Sequence, residues 1–149
     1  MMTNELMMLY QQLIVDHGKN PRNFGCMPDC SHHQEGHNPV CGDELTLYLS
    51  IKSNLIEDAM FSGKGCAISM ASASLMTSAI KGHTVEYANE LFQSFHQLML
   101  EEEAPELDLG KIAVLSGVKK FPTRIKCATL GWHALKNILE NKNEVAKTE

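Results

Sequence analysis

Apolar residues recur at helical spacing at the start of the chain, with Leu6, Leu9, Tyr10, Leu13 and Ile14 on one side of the segment Asn4 to His17, the mark of an amphipathic helix. Thr3 or Asn4 can cap it and Gly18 can stop it. Lys19 to Gly25 is rich in turn formers, and the polar, histidine-rich run to Pro39 has no clear period, which predicts a long loop with one edge strand. From Glu44 the period changes to two. Leu45, Leu47, Leu49 and Ile51 alternate with Thr46, Tyr48 and Ser50, predicting a strand with one buried face. Ser53-Asn54 turns the chain into a second strand, Leu55 to Phe61. Ala67 to Ile80 then reads as a helix of small residues ended by Gly82, and Thr84 opens another that runs through Leu91, Phe95, Leu98 and Met99 towards Glu101-Glu102-Glu103 and Pro105. A short helix is predicted over Leu109 to Ser116, ended by Gly117. The last begins near Pro122-Thr123 and carries Ala128, Trp132, Leu135, Ile138 and Leu139 on one face, before a polar tail, 141–149, expected to fray. The sum is an α+β chain: a small antiparallel three-stranded sheet against about five helices.

Composition narrows the function classes. The chain has 149 residues, a length for one domain spanning 1–149. No apolar stretch approaches membrane-crossing length, and the start, Met1-Met2-Thr3-Asn4-Glu5, lacks a basic n-region and an apolar signal core, so a cytoplasmic location is expected. A net charge of −5 without a basic stripe argues against nucleic acid as a partner. Five cysteines in such a setting point to reduced thiols or metal ligands rather than a disulfide framework.

Three segments carry candidate chemistry: Cys41-Gly42-Asp43, Gly63-Lys64-Gly65-Cys66 and Lys126-Cys127. Cys66 falls where a helix begins, and Cys127 in the first turn or two of the last helix, both near positive dipole ends that favour a thiolate. Cys41 and Asp43 precede one strand of the hairpin and Cys66 follows the other, so antiparallel pairing brings them to the same end of the sheet. Three thiolates and a carboxylate make a four-ligand set of the kind tetrahedral zinc accepts. Taken singly, each cysteine has the competing reading of a small buried hydrophobe. Cys26 and Cys30, with His32, His33 and His37 nearby, offer a second donor set, but without paired spacing on both sides they read more simply as exposed loop residues. His17 reads as a helix-end residue favoured by the dipole, His83 and His96 as surface positions, and His133 as near the site by sequence alone.

The residues Asp16-His17, Asn20-Pro21-Arg22-Asn23, Asn38-Pro39-Val40-Cys41-Gly42-Asp43, Gly63 through Ser74 and Phe121 through Ala128 together resemble the iron–sulfur assembly proteins of the IscU and NifU N-terminal type, in particular their SufU branch. The segment between Cys66 and Cys127 is longer than in IscU-like members, with an added helical stretch around Leu107 to Val118. Lys126 stands where those members carry a histidine, and Pro122-Thr123-Arg124-Ile125-Lys126 replaces their chaperone-recognition segment, which argues against chaperone-driven release.

What the resemblance implies is a SufE/NifU-like fold and a zinc-dependent sulfurtransferase. It would accept persulfide sulfur from a SufS-type cysteine desulfurase by exchanging one zinc ligand, and would pass it to downstream iron–sulfur assembly proteins. The implied zinc ligands are Cys41, Asp43, Cys66 and Cys127. Cys41 is the implied acceptor, Cys127 the other candidate, and Asp43 the harder ligand that eases exchange. Arg124 and Lys126 flank the site by sequence and offset its negative charge. Two other classes stay open: a scaffold that assembles a [2Fe-2S] cluster on the same cysteines, and a zinc-stabilised interaction protein without sulfur chemistry.

Overall fold

The computed structural model describes residues 4–39, 42–100, 107, 109–140 and 146–147. In chain order these form α1 (Asn4–Lys19), β1 (His32–Asn38), β2 (Asp43–Lys52), β3 (Leu55–Lys64), α2 (Ala67–Ile80), α3 (Val85–Leu100), a 3-10 helix (Gly110–Lys120), α4 (Pro122–Leu139) and β4 (Ala146–Lys147). Thr3, the acidic run Glu101–Glu103 and Pro105 lie outside the described residues.

β2 is the centre of an antiparallel trio ordered β3-β2-β1. Its alternating leucines Leu45, Leu47 and Leu49 are fully buried on one face, as period two requires. Ser53 and Asn54 both take positive φ, 52° and 67°, the backbone of the two-residue turn that matches strand twist. β4 adds a two-residue parallel pairing beside β1, so the sheet gains a fourth short strand inside the stretch expected to fray. The rest of 141–149 lies outside the described residues.

The helices cover the leucine face. α2 is buried almost throughout, from Ser69 to Thr77, because α1, α4 and β3 all pack against it. Small side chains let those neighbours approach, and Ser72 ties α2 to α4 by donating to the Ala128 carbonyl while accepting the Trp132 indole N–H at 3.0 Å. Trp132 stacks on Phe95 of α3 at 4.2 Å between ring centroids. Among the described residues no helix is long and apolar enough to cross a membrane.

Three local expectations change. Gly18 lies inside α1 rather than after it, and a Cβ there would come within 2.9 Å of the Ala67 carbonyl, so this glycine permits the close approach of α1 and α2. The 3-10 helix runs past Gly117 to Lys120. His17 does stand in the last turn of α1, but packing rather than the dipole governs it: it is 5% exposed, with Nδ1 2.7 Å from Ser74 Oγ, which also accepts the Arg22 N–H at 2.8 Å.

Burial first, then the nearby Arg22 charge, holds the His17 pKa below its ordinary 6.5. Such a histidine binds fewer protons folded than unfolded. Its share of stability is therefore complete above pH 6.5 and is lost as pH falls from there towards the folded value. His133, lowered by burial and then by His96 and Lys136, acts with the same sign. Replacing His17 by glutamine should shrink the fall in Tm between about pH 7.5 and about pH 5.5. An equal fall in both proteins would remove His17 from the account.

Candidate metal centre

Asp43, Cys66 and Cys127 converge at one end of the sheet, with ligand atoms all within 4.8 Å of one another. Register does the first part of the work. Glu44 pairs with Lys64 across β2 and β3, so Asp43 and Cys66, 23 residues apart, meet directly: Asp43 Oδ1 accepts the Cys66 backbone N–H at 2.9 Å. Cys66 is the N-cap of α2 but its own side chain makes no capping bond. Asp43 supplies the carboxylate at that helix start instead, where the dipole favours negative charge.

Two glycines let this happen. A Cβ on Gly63 would strike the Glu44 carbonyl and come within 2.7 Å of Leu45 Cα, and one on Gly65 would press on Ser69 Oγ and lie 2.7 Å from Asp43 Oδ1. Cys127 arrives from α4, which packs across α2, β1 and β2. It sits in the second turn of that helix, fully buried, its Sγ 3.9 Å from the Thr123 carbonyl.

Cys41, the fourth expected donor, lies outside the described residues. The described residues that flank it in sequence are linked, the Gly42 N–H donating to the Asn38 carbonyl at 2.9 Å. Lys126 is half-buried and Arg124 exposed. Among the described residues no metal-sized donor group includes Cys26, Cys30, His32, His33 or His37. Cys26 is exposed, 3.6 Å from the Tyr48 hydroxyl, and Cys30 is half-buried.

The donor set fits a metal ion. Asp43 is 1% exposed, and among the described residues no lysine or arginine pairs with it. A carboxylate taken out of water without a cationic partner is costly, and beside two sulfurs within ligand range a cation would complete it. Two residues missed in the sequence also enter. Asn38, fully buried, places Nδ2 3.5 Å from Asp43 Oδ2 and 3.7 Å from Cys127 Sγ. Ser69 Oγ lies 3.9 Å from Cys66 Sγ and bonds to the Cys66 carbonyl. The only sequence signal for Asn38 was its place ahead of Pro39 in the segment leading to Cys41.

Comparison with known proteins agrees with this architecture. The chain is 51% identical over 128 residues to the zinc-dependent sulfurtransferase SufU of Bacillus subtilis strain 168, covering 85% of this chain and 86% of that one. It is 40% identical over 141 residues to the iron–sulfur cluster assembly scaffold protein IscU of Streptococcus pyogenes serotype M1, covering 94% and 88%. The crystal structure of FiSufU from thermophilic Fervidobacterium islandicum AW-1 superposes with a TM-score of 0.83 at 38% identity, over 89% of this chain and 97% of that one. Residues 9–128 match the family described as NifU-like N terminal domain, and the chain belongs to that family.

Proposed function

We propose that this chain is a zinc-dependent sulfurtransferase of iron–sulfur cluster assembly, working in the cytoplasm, that accepts persulfide sulfur from a SufS-type cysteine desulfurase. The observation that carries the reading is the meeting of Asp43, Cys66 and Cys127 within 4.8 Å in a chain half identical to a protein named for that activity. Cys66, Cys127, Asp43 and Cys41 would hold the zinc, which when bound keeps sulfur ligands deprotonated without redox chemistry of its own.

The chain's own residues do the rest. Cys41 is the acceptor: its thiolate attacks the outer sulfur of the desulfurase persulfide, a new S–S bond forms on Cys41, and the desulfurase cysteine leaves as thiolate, so sulfur moves with no net oxidation. Cys66 and Cys127 stay in place, the first fixed at the start of α2 and the second buried in α4. Asp43 is tethered by the Cys66 N–H, so the remaining donors keep their arrangement while Cys41 reacts. Lys126 offsets part of the negative charge that three thiolates and a carboxylate collect.

Cys41→Ala should reduce the stimulation of a SufS-type desulfurase to the rate of the desulfurase alone, and intact-protein mass spectrometry of the unchanged chain should place one added sulfur on Cys41. No stimulation by the unchanged chain would leave only an interaction role. A brown protein with cluster absorbance after anaerobic purification would replace sulfur transfer with the scaffold reading.

A further inference from the structure

We infer that Asn38 is a positioning residue of the metal centre, its side-chain amide donating to Asp43 and Cys127 together. This rests on the metal-binding reading above. Asn38 ends β1 and pairs with Asp43 at the start of β2, so the strand register itself sets the amide beside the carboxylate. Its Nδ2 lies 3.5 Å from Asp43 Oδ2 and 3.7 Å from Cys127 Sγ, in a fully buried position. An amide nitrogen carries two hydrogens and can serve both acceptors at once. Turned over, the amide would set its carbonyl oxygen against acceptor atoms of Asp43 and Cys127, so these two partners favour the orientation with the nitrogen between them.

The contacts link segments that are otherwise separate. Asp43 comes from the hairpin and Cys127 from α4, 89 residues beyond Asn38, and the Asn38 carbonyl also accepts the Gly42 N–H at 2.9 Å. Partners of this kind orient metal ligands and tune how much charge they give to the ion; losing one typically costs 10–100-fold in metal affinity. A sulfur that accepts a hydrogen bond is also a weaker donor than a bare thiolate, so the amide bears on the electronic character of Cys127 as well as its position.

The test uses the full chain loaded with zinc, and separately with cobalt(II), whose thiolate charge-transfer band reports the sulfur ligands. In competition with a chromophoric chelator, Asn38→Ala should lose zinc affinity by about 10–100-fold, with a shifted thiolate–cobalt band and an unchanged far-UV spectrum. Asn38→Asp keeps the volume, removes the donor when ionised and adds like charge, so it should lose at least as much; it carries the test if the alanine variant does not fold. Equal zinc affinity and an unshifted cobalt band in the folded variants would overturn the role. So would a failure of both variants to fold even with zinc, since Asn38 would then be holding the sheet rather than the ligands. An unchanged chain that binds neither metal would instead sink the metal-binding reading itself, a result separable from equal binding in chain and variants.

Discussion

Cys127→Ser is expected to weaken metal binding about 100-fold while leaving the protein folded. The side chain is fully buried in α4 with Sγ 3.9 Å from the Thr123 carbonyl. A serine hydroxyl is nearly the same size and can donate to that carbonyl, so the metal-free fold should lose only about 1 kcal/mol. As a ligand the exchange is severe. If four ligands share the roughly 10–16 kcal/mol of a structural zinc site, each accounts for about 3 kcal/mol, or about 100-fold in affinity. Dialysed against a chelator that the unchanged site just withstands, the variant's zinc content should drop from about one per chain to near none. Binding only to the folded state stabilises it by mass action, so at a fixed excess of zinc the hundredfold loss should lower the zinc-bound Tm by about 5–10 °C for a chain of this size. Retention of zinc by Cys127→Ser with an unchanged chelator response would remove Cys127 from the ligand set.

How far the sequence discloses such a site depends on which force acts at each position. β2 was legible because one of its faces is buried under helices and its leucines show it. β1 has the same alternation of burial but not of hydrophobicity: its inward positions are Gln34, Gly36 and Asn38, so period two exists in the structure and is invisible in the letters. The hairpin register made the meeting of Asp43 and Cys66 readable. Nothing local brings Cys127 to them, because that depends on how α4 crosses α2 and the sheet. The helix-end position of His17 was legible but its burial was not, for a related reason: the dipole rule sees only its own helix, whereas its partner Ser74 lies 57 residues away. Asn38 acts through cross-strand pairing and through α4, and no spacing rule looks in either direction.

Gly63 and Gly65 separate fold from site, and substituting each by alanine should have opposite consequences. Gly63 has φ of +134°, a region costly for any residue with a Cβ, and its new Cβ would collide with the β2 backbone at Glu44 and Leu45. Backbone cannot rotate aside, so β2 and β3 must part at the end where the ligands gather. Strain and overpacking together should cost roughly 2–6 kcal/mol, a large share of a typical domain's 5–15 kcal/mol, and Gly63→Ala should melt well below the unchanged chain with or without zinc. At Gly65 the obstacles are the side chains of Ser69 and Asp43. Ser69 can change rotamer; Asp43 can yield only by giving up the Cys66 N–H it accepts at 2.9 Å. Gly65→Ala should therefore keep a metal-free stability within about 1–2 kcal/mol of the original while losing zinc affinity by at least about tenfold. Measured side by side, thermal unfolding without metal should rank Gly63→Ala as the damaged protein, and chelator competition should expose Gly65→Ala. A Gly65→Ala protein that binds zinc normally would mean that Asp43 need not hold its observed position to serve as a ligand, because the carboxylate cannot keep that place with a methyl group 2.7 Å from its oxygen.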